Sequence, residues 1–309
     1  MKATLAGRRR KENAGPDGFT LIELLAVMAM MVLLALTLLP ARADSRTHAQ
    51  GVRCQDNLRQ VMGAVQAYTH DFQDRFPPNP DDGNTLPGHN WCPGNAATGG
   101  PAQFNPDILT DPTRCLIASY LDGQADVFRC TADLRRGLYQ GSNPALVGKI
   151  VPAARTISMN VAVGSVCSAY YGTCSGHSGA TVFPSNGAWL TGTRNCAQAA
   201  FRTYGRTSQV LIPGPANLMV ITEEDPWSIN DGVLSAVANP QEPVWIDYPS
   251  TLHNLGCVMV FADGHTELHK WGPAMPKLGP NTGPGQRVAN GSNLNDFLWL
   301  AARLSAPTF

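Results

Sequence analysis

The chain has 309 residues, enough for one large domain or two modest ones. Charged residues make up only 15%, and 23 basic side chains balance 23 acidic ones, so no overall field draws in nucleic acid. Thirty glycines and 24 prolines argue against a helix bundle and for a loop-rich body.

Lys2, Arg8, Arg9, Arg10 and Lys11 crowd the first dozen positions, directly before the longest apolar run. Residues 19–39, FTLIELLAVMAMMVLLALTLL, hold one charge, Glu23. At about 1.5 Å per residue this is about 32 Å of helix, enough for a bilayer core of about 30 Å. The basic cluster stays cytoplasmic and sends the C-terminal body outward. An ordinary secretory signal with a site at Ala41-Arg42-Ala43 is the competing reading. Its apolar core would span only about 7–15 residues, and an acid early in that core serves no purpose in a discarded segment.

Gly18-Phe19-Thr20-Leu21-Ile22-Glu23 resembles the prepilin-type cleavage and methylation motif of type IV pilins and type II secretion pseudopilins. The resemblance implies cleavage between Gly18 and Phe19 by a prepilin peptidase/methyltransferase, giving an N-methylphenylalanine. It also implies an assembly role for Glu23, whose carboxylate would be neutralised by the α-ammonium of an adjacent subunit. Loss of residues 1–18 leaves 18 basic against 21 acidic groups, a net charge of −3.

Pro40 should kink or interrupt the helix. Leu58, Val61, Met62, Val65, Tyr68, Phe72 and Phe76 then recur at helical spacing, a core-facing stripe that stops at Phe76-Pro77-Pro78. From Pro77 to about Pro112 no periodicity survives, and residues 164–199 form a second loop-rich block. Leu218–Thr222 reads as a strand ending on Glu223-Glu224-Asp225. Gly256–Ala262 and His265–His269 read as a hairpin closed by a two-residue Asp263-Gly264 turn.

Eight cysteines, none in a tight CxxC pair, suit disulfides in a body outside the cytoplasm. Four bridges allow 105 connectivities. Cys115–Cys130 and Cys167–Cys174 are preferred because each closes a short loop.

His253 stands ten positions before Asp263, with Gly264 next. This H-x9-D-G spacing resembles a C-terminal motif of a large bacterial group of pilin-like proteins. Cys54-Gln55-Asp56-Asn57-Leu58-Arg59-Gln60, Phe128-Arg129-Cys130-Thr131-Ala132-Asp133, Ser158-Met159-Asn160 and Trp245-Ile246-Asp247-Tyr248-Pro249 also fit that group. Here His253, Asp263 and Gly264 are read as a structural motif, with His253 bonding a neighbouring loop.

Other residue groups suggest further chemistries. Glu223, Glu224 and Asp225 offer hard oxygens for calcium, as some pseudopilins do, although solvated strand-end acids are the ordinary reading. His265, Glu267 and His269 alternate on one strand face and could ligate a metal, although a solvated face explains them as well. No Gly-x-Ser-x-Gly elbow and no Walker-type phosphate loop occurs. An anchored hydrolase is therefore the weakest alternative, and the chain is not expected to be an enzyme or to need a cofactor. An anchored adhesin or carbohydrate-binding module, with Trp91, Trp189, Trp227 or Trp245 as a stacking platform, is the stronger one.

The expected fold is α+β and pilin-like: a long N-terminal helix, transmembrane in its first half, packed on an antiparallel β-sheet with long loops. Residues 1–18 form a cleaved leader, 19–39 a transmembrane helix and 40–76 its amphipathic continuation. Residues 77–309 form an extracytoplasmic body with its hairpin near 256–271. The expected function is a minor pilin or pseudopilin of a type II secretion or type IV pilus-like filament. Its partners would be the prepilin peptidase, other subunits and inner-membrane lipid. The expected location is single-pass in the bacterial inner membrane, with the body periplasmic or extracellular.

Overall fold

The computed structural model describes residues 19–79, 88–166, 183–184, 187–193, 200–280 and 285–309, without side chains for 35–46, 166, 183 and 184. The leader with Gly18 and the pair Cys167–Cys174 lie outside the described residues. Two compact units divide the chain, Met1–Arg46 and Thr47–Phe309.

Helix α1 spans Leu21–Asp71. Its start is fixed by a capping box in Thr20-Leu21-Ile22-Glu23. Glu23 Oε2 accepts from Thr20 N and from Thr20 Oγ1, both at 2.8 Å, and Glu23 N donates back to Thr20 Oγ1 at 3.3 Å. In the first unit, apolar side chains from Phe19 to Leu34 stand exposed.

In the second unit, Cys54, Leu58, Val61, Met62 and Val65 of α1 are buried and join the core that holds Met219, Ile221, Val258 and Val260. The helix does not continue to Phe76. Gln73 and Asp74 adopt φ of 56° and 68°, the left-handed region that ends helices. Ser208 N donates to the Asp74 carboxylate at 3.2 Å and holds that turn. Phe72 is consequently half exposed, whereas Phe76 is buried in the following loop.

A short helix, α2, spans Asp107–Thr110. The strands are β1 (Arg136–Leu138), β2 (Ile150–Pro152), β3 (Ile157–Asn160), β4 (Ser165–Val166) and β5 (Phe183–Pro184). They continue as β6 (Met219–Glu223), β7 (Val233–Leu234), β8 (Val244–Trp245), β9 (Gly256–Phe261), β10 (Thr266–Lys270) and β11 (Arg287–Val288). Helix α3, Leu294–Leu304, follows and buries Phe297, Leu300, Ala301 and Leu304 along one stripe.

The central sheet has five strands in the order β10-β9-β6-β3-β7. β6 and β9 are buried along their whole length, as expected for near-continuous apolar runs covered on both faces. β10 pairs antiparallel with β9, β9 with β6 and β6 with β3, but β7 pairs parallel with β3.

The expected fold is therefore corrected. The sheet is mixed rather than antiparallel, because Val233–Leu234 enters beside Met159–Asn160 in the same direction. Among the described residues, no helix is long and apolar enough to cross a membrane, so the structure does not supply the transmembrane first half of the expected helix.

The β9–β10 hairpin forms, with a different turn. Phe261 N donates to His265 O at 3.0 Å, which leaves a three-residue loop, Ala262-Asp263-Gly264. Only Gly264 within that loop has positive φ, 91°. A type I turn followed by a left-handed glycine gives this geometry, in place of the two-residue turn expected from Asp-Gly.

Candidate metal centre

Four segments distant in sequence meet beneath the hairpin. Cys54 lies on the buried stripe of α1, one turn before Leu58. Cys130 follows a 3-10 turn at Ala125–Phe128, and its N–H is fixed by Thr156 Oγ1. Glu223 is the last residue of β6. His253 heads a tight loop in which Asn254 and Leu255 both take positive φ, so that His253 N reaches Gly256 O at 3.3 Å. Gly256 is required there, because a Cβ would lie 2.8 Å from His253 O.

The potential ligand atoms of these four residues all lie within 4.8 Å of one another. Cys54 Sγ is 3.6 Å from Cys130 Sγ, which is 3.3 Å from His253 Nε2. Nε2 lies 3.1 Å from Glu223 Oε1, while Oε2 accepts from Val258 N at 2.9 Å. Backbone donors approach both sulfurs: Thr131 N to Cys54 Sγ at 3.3 Å and Ala132 N to Cys130 Sγ at 3.4 Å. His253 Nδ1 has no hydrogen-bond partner.

Electrostatics follow from placing three acids around one imidazole. Hydrogen bonding from Cys130, against the cost of burial, holds the Cys54 thiol down at about 6. Burial and the bond to Cys54 push the Cys130 thiol well above its ordinary range. Burial would raise Glu223, but the bond and charge of His253 hold it below the ordinary carboxylate value. Burial would lower His253, yet its bonds to Cys54 and Glu223 carry it up to about 10. The shifts at Cys54, Glu223 and His253 share one cause, each group's hydrogen bonds and charge favouring the charged form of its neighbour.

A cysteine beside a histidine that is oriented by a carboxylate also resembles a nucleophile and its base. Burial decides against that use, since Cys54 and Cys130 are 1% exposed and Glu223 and His253 0%.

The other residues singled out in the sequence are dispersed. Glu224 is buried toward Ser158 Oγ, and Asp225 accepts from Trp227 N at 2.9 Å, so the acidic trio does not converge on one point. Nor are these acids solvated, since all three are buried. His265 Nδ1 pairs with Asp263 at 2.6 Å on a half-exposed edge. His269 stacks on Trp299 with ring centroids 3.5 Å apart, and its Nδ1 is 3.4 Å from Glu267.

The expected Cys115–Cys130 pair is corrected as well. Both are free thiols, Cys115 donating to Trp91 O at 3.1 Å and Cys130 facing Cys54. Of the four candidate platform tryptophans, Trp91 and Trp245 are core residues, while Trp189 and Trp227 are partly buried.

No family model, curated protein or solved structure matches the chain. The likeness to pilin-like proteins therefore rests on the motifs quoted from the sequence.

Proposed function

We propose that the chain is a pilin-like structural subunit, a minor pilin or pseudopilin, matured by removal of residues 1–18. The coincidence of Gly18-Phe19 with Glu23 inside an apolar run carries this reading. Exposure of the apolar side chains from Phe19 to Leu34 supports it, because such a surface requires lipid or partner subunits to cover it. In this reading residues 19–39 partition into the inner membrane and then enter a filament core by contact with other subunits. Glu23 both caps its own helix and meets the α-ammonium of a neighbour. The body stays outside the cytoplasm and performs no catalysis. Burial of Trp91 and Trp245 removes half of the aromatic platform on which the adhesin alternative depends.

The test is the intact mass of chain extracted from membranes of cells that contain a prepilin peptidase. The expected species begins at Phe19 and carries one added methyl group. Gly18→Leu should leave the full-length precursor in the membrane. A mature chain beginning at Asp44 would overturn the proposal, since the apolar segment would then be a discarded secretory signal.

A further inference from the structure

We propose that Cys54, Cys130, Glu223 and His253 form a structural zinc site that clamps the buried part of α1 to β6 and to the loops before and after it. The proposal goes beyond the pilin reading and does not depend on it.

The first ground is ligand geometry. Zinc–sulfur bonds of about 2.3 Å and zinc–nitrogen or zinc–oxygen bonds of about 2.1 Å in a tetrahedron place two sulfurs about 3.8 Å apart. The same bonds place sulfur and nitrogen about 3.6 Å apart, and nitrogen and oxygen about 3.4 Å apart. The corresponding separations here are 3.6, 3.3 and 3.1 Å. Each ligand need retreat only by a few tenths of an ångström to admit the ion.

The second ground is the donor set. Two sulfurs, one imidazole nitrogen and one carboxylate oxygen complete four-coordination, which is how structural zinc sites are closed. Calcium and magnesium would demand more oxygens. The Cys54 and Cys130 thiols give up their protons on binding, and His253 ligates as the neutral ring.

The third ground lies outside the ligands. Thr131 N and Ala132 N point at the two sulfurs, and Val258 N holds the second oxygen of Glu223. Such donors fix the ligands and disperse thiolate charge.

Full-length protein, purified in detergent without chelator, should contain about one zinc per chain by elemental mass spectrometry. Replacement by Co(II) should give the intense visible absorption of a tetrahedral site together with sulfur-to-metal charge-transfer bands, a reading that needs no variant. Cys54→Ser and His253→Gln should each abolish stoichiometric metal. Cys257→Ser, a buried thiol outside the cluster, should retain it. Should the ligand variants fail to fold, the wild-type cobalt spectrum and the melting temperature before and after chelation still decide. A disulfide between Cys54 and Cys130 in the native protein would overturn the proposal. So would two free thiols with substoichiometric metal, or a cobalt spectrum without sulfur ligation. Leader removal plays no part in these measurements, so failure here leaves the pilin reading standing, and the converse holds.

Discussion

Arg155 offers the sharpest test of how the body is held together. Its side chain is buried, and its guanidinium donates to four backbone carbonyls on three segments. Nη1 reaches Ile157 O at 3.1 Å and also Asp231 O, while Nη2 reaches Gly94 O at 3.2 Å and Asn230 O at 3.4 Å. Arg155→Met keeps much of the volume and removes every donor. Asn230 O keeps a second partner, Ala96 N at 2.7 Å, so three carbonyls bear most of the loss. At about 1–1.5 kcal/mol for each lost bond to a buried group, the substitution should cost about 3–5 kcal/mol. In a unit of this size that lowers the melting temperature by about 6–20 °C, measurable by circular dichroism of the detergent-solubilised chain. The opposite outcome is physically reasonable elsewhere, since buried charges replaced by apolar groups are often neutral or stabilising. It is not expected here, because the partners are carbonyls fixed in loops. Arg155→Lys should fall between the two, keeping the charge but losing the planar fork. A methionine variant that melts within about 3 °C of wild type, less than about 1 kcal/mol, would refute this assignment.

Two further predictions concern the hairpin. Gly264→Val forces a β-branched residue to φ of 91° and brings its Cβ within 3.3 Å of Gln66 Nε2, so it should cost more than about 1 kcal/mol. His265→Ala, on the half-exposed edge, should cost much less, and equal losses in thermal melts would dismiss the turn assignment. Burial against Trp271 and Trp299 depresses His269 below its ordinary value, so the unfolded chain takes up its proton first as pH falls. The His269 contribution is complete above about pH 6.5 and is lost as pH falls through the lower folded value. Denaturant midpoints from about pH 8 to about pH 5 should therefore fall less steeply in His269→Phe than in wild type; identical slopes would count against this account.

Local features of the fold were legible where one physical signal dominated. The α1 stripe from Leu58 to Val65 is buried as its spacing predicts, and the β9–β10 hairpin forms where Asp263-Gly264 marks it. Boundaries failed where tertiary contacts overrode local pattern. The helix ends at Asp71 because Gln73 and Asp74 turn left-handed, with the Asp74 carboxylate held by Ser208, which no proline announces. Val233–Leu234 is too short to declare a strand, let alone its parallel pairing with β3. Helix α3 carries a legible signal of its own: Phe297, Leu300, Ala301 and Leu304 recur at three- and four-residue steps. Thr20 and Glu23 likewise spell a capping box inside a motif that resemblance had reserved for cleavage and assembly.

The candidate metal centre was illegible for a different reason. Spacing reveals a metal site when two ligands share one turn or loop, so that their separation in sequence fixes their separation in space. Here Cys54 and Cys130 are 76 residues apart, Cys130 and His253 are 123, and His253 and Glu223 are 30. Each of the four sits on a different element, and only the packing of α1 against the central sheet brings them together. The residues therefore appeared separately: two cysteines counted toward disulfides, a glutamate grouped with its acidic neighbours and a histidine credited to a hairpin. Alternation separates Glu223 from Glu224 in the chain direction, since successive strand residues face opposite sides. That alternation turns Glu223 toward the sulfurs and Glu224 toward Ser158. A cluster assembled this way exists only in the folded chain, so an ion bound there would stabilise the native state and have little hold on the unfolded one. This coupling is why removal of zinc should lower the melting temperature, rather than merely emptying a surface site.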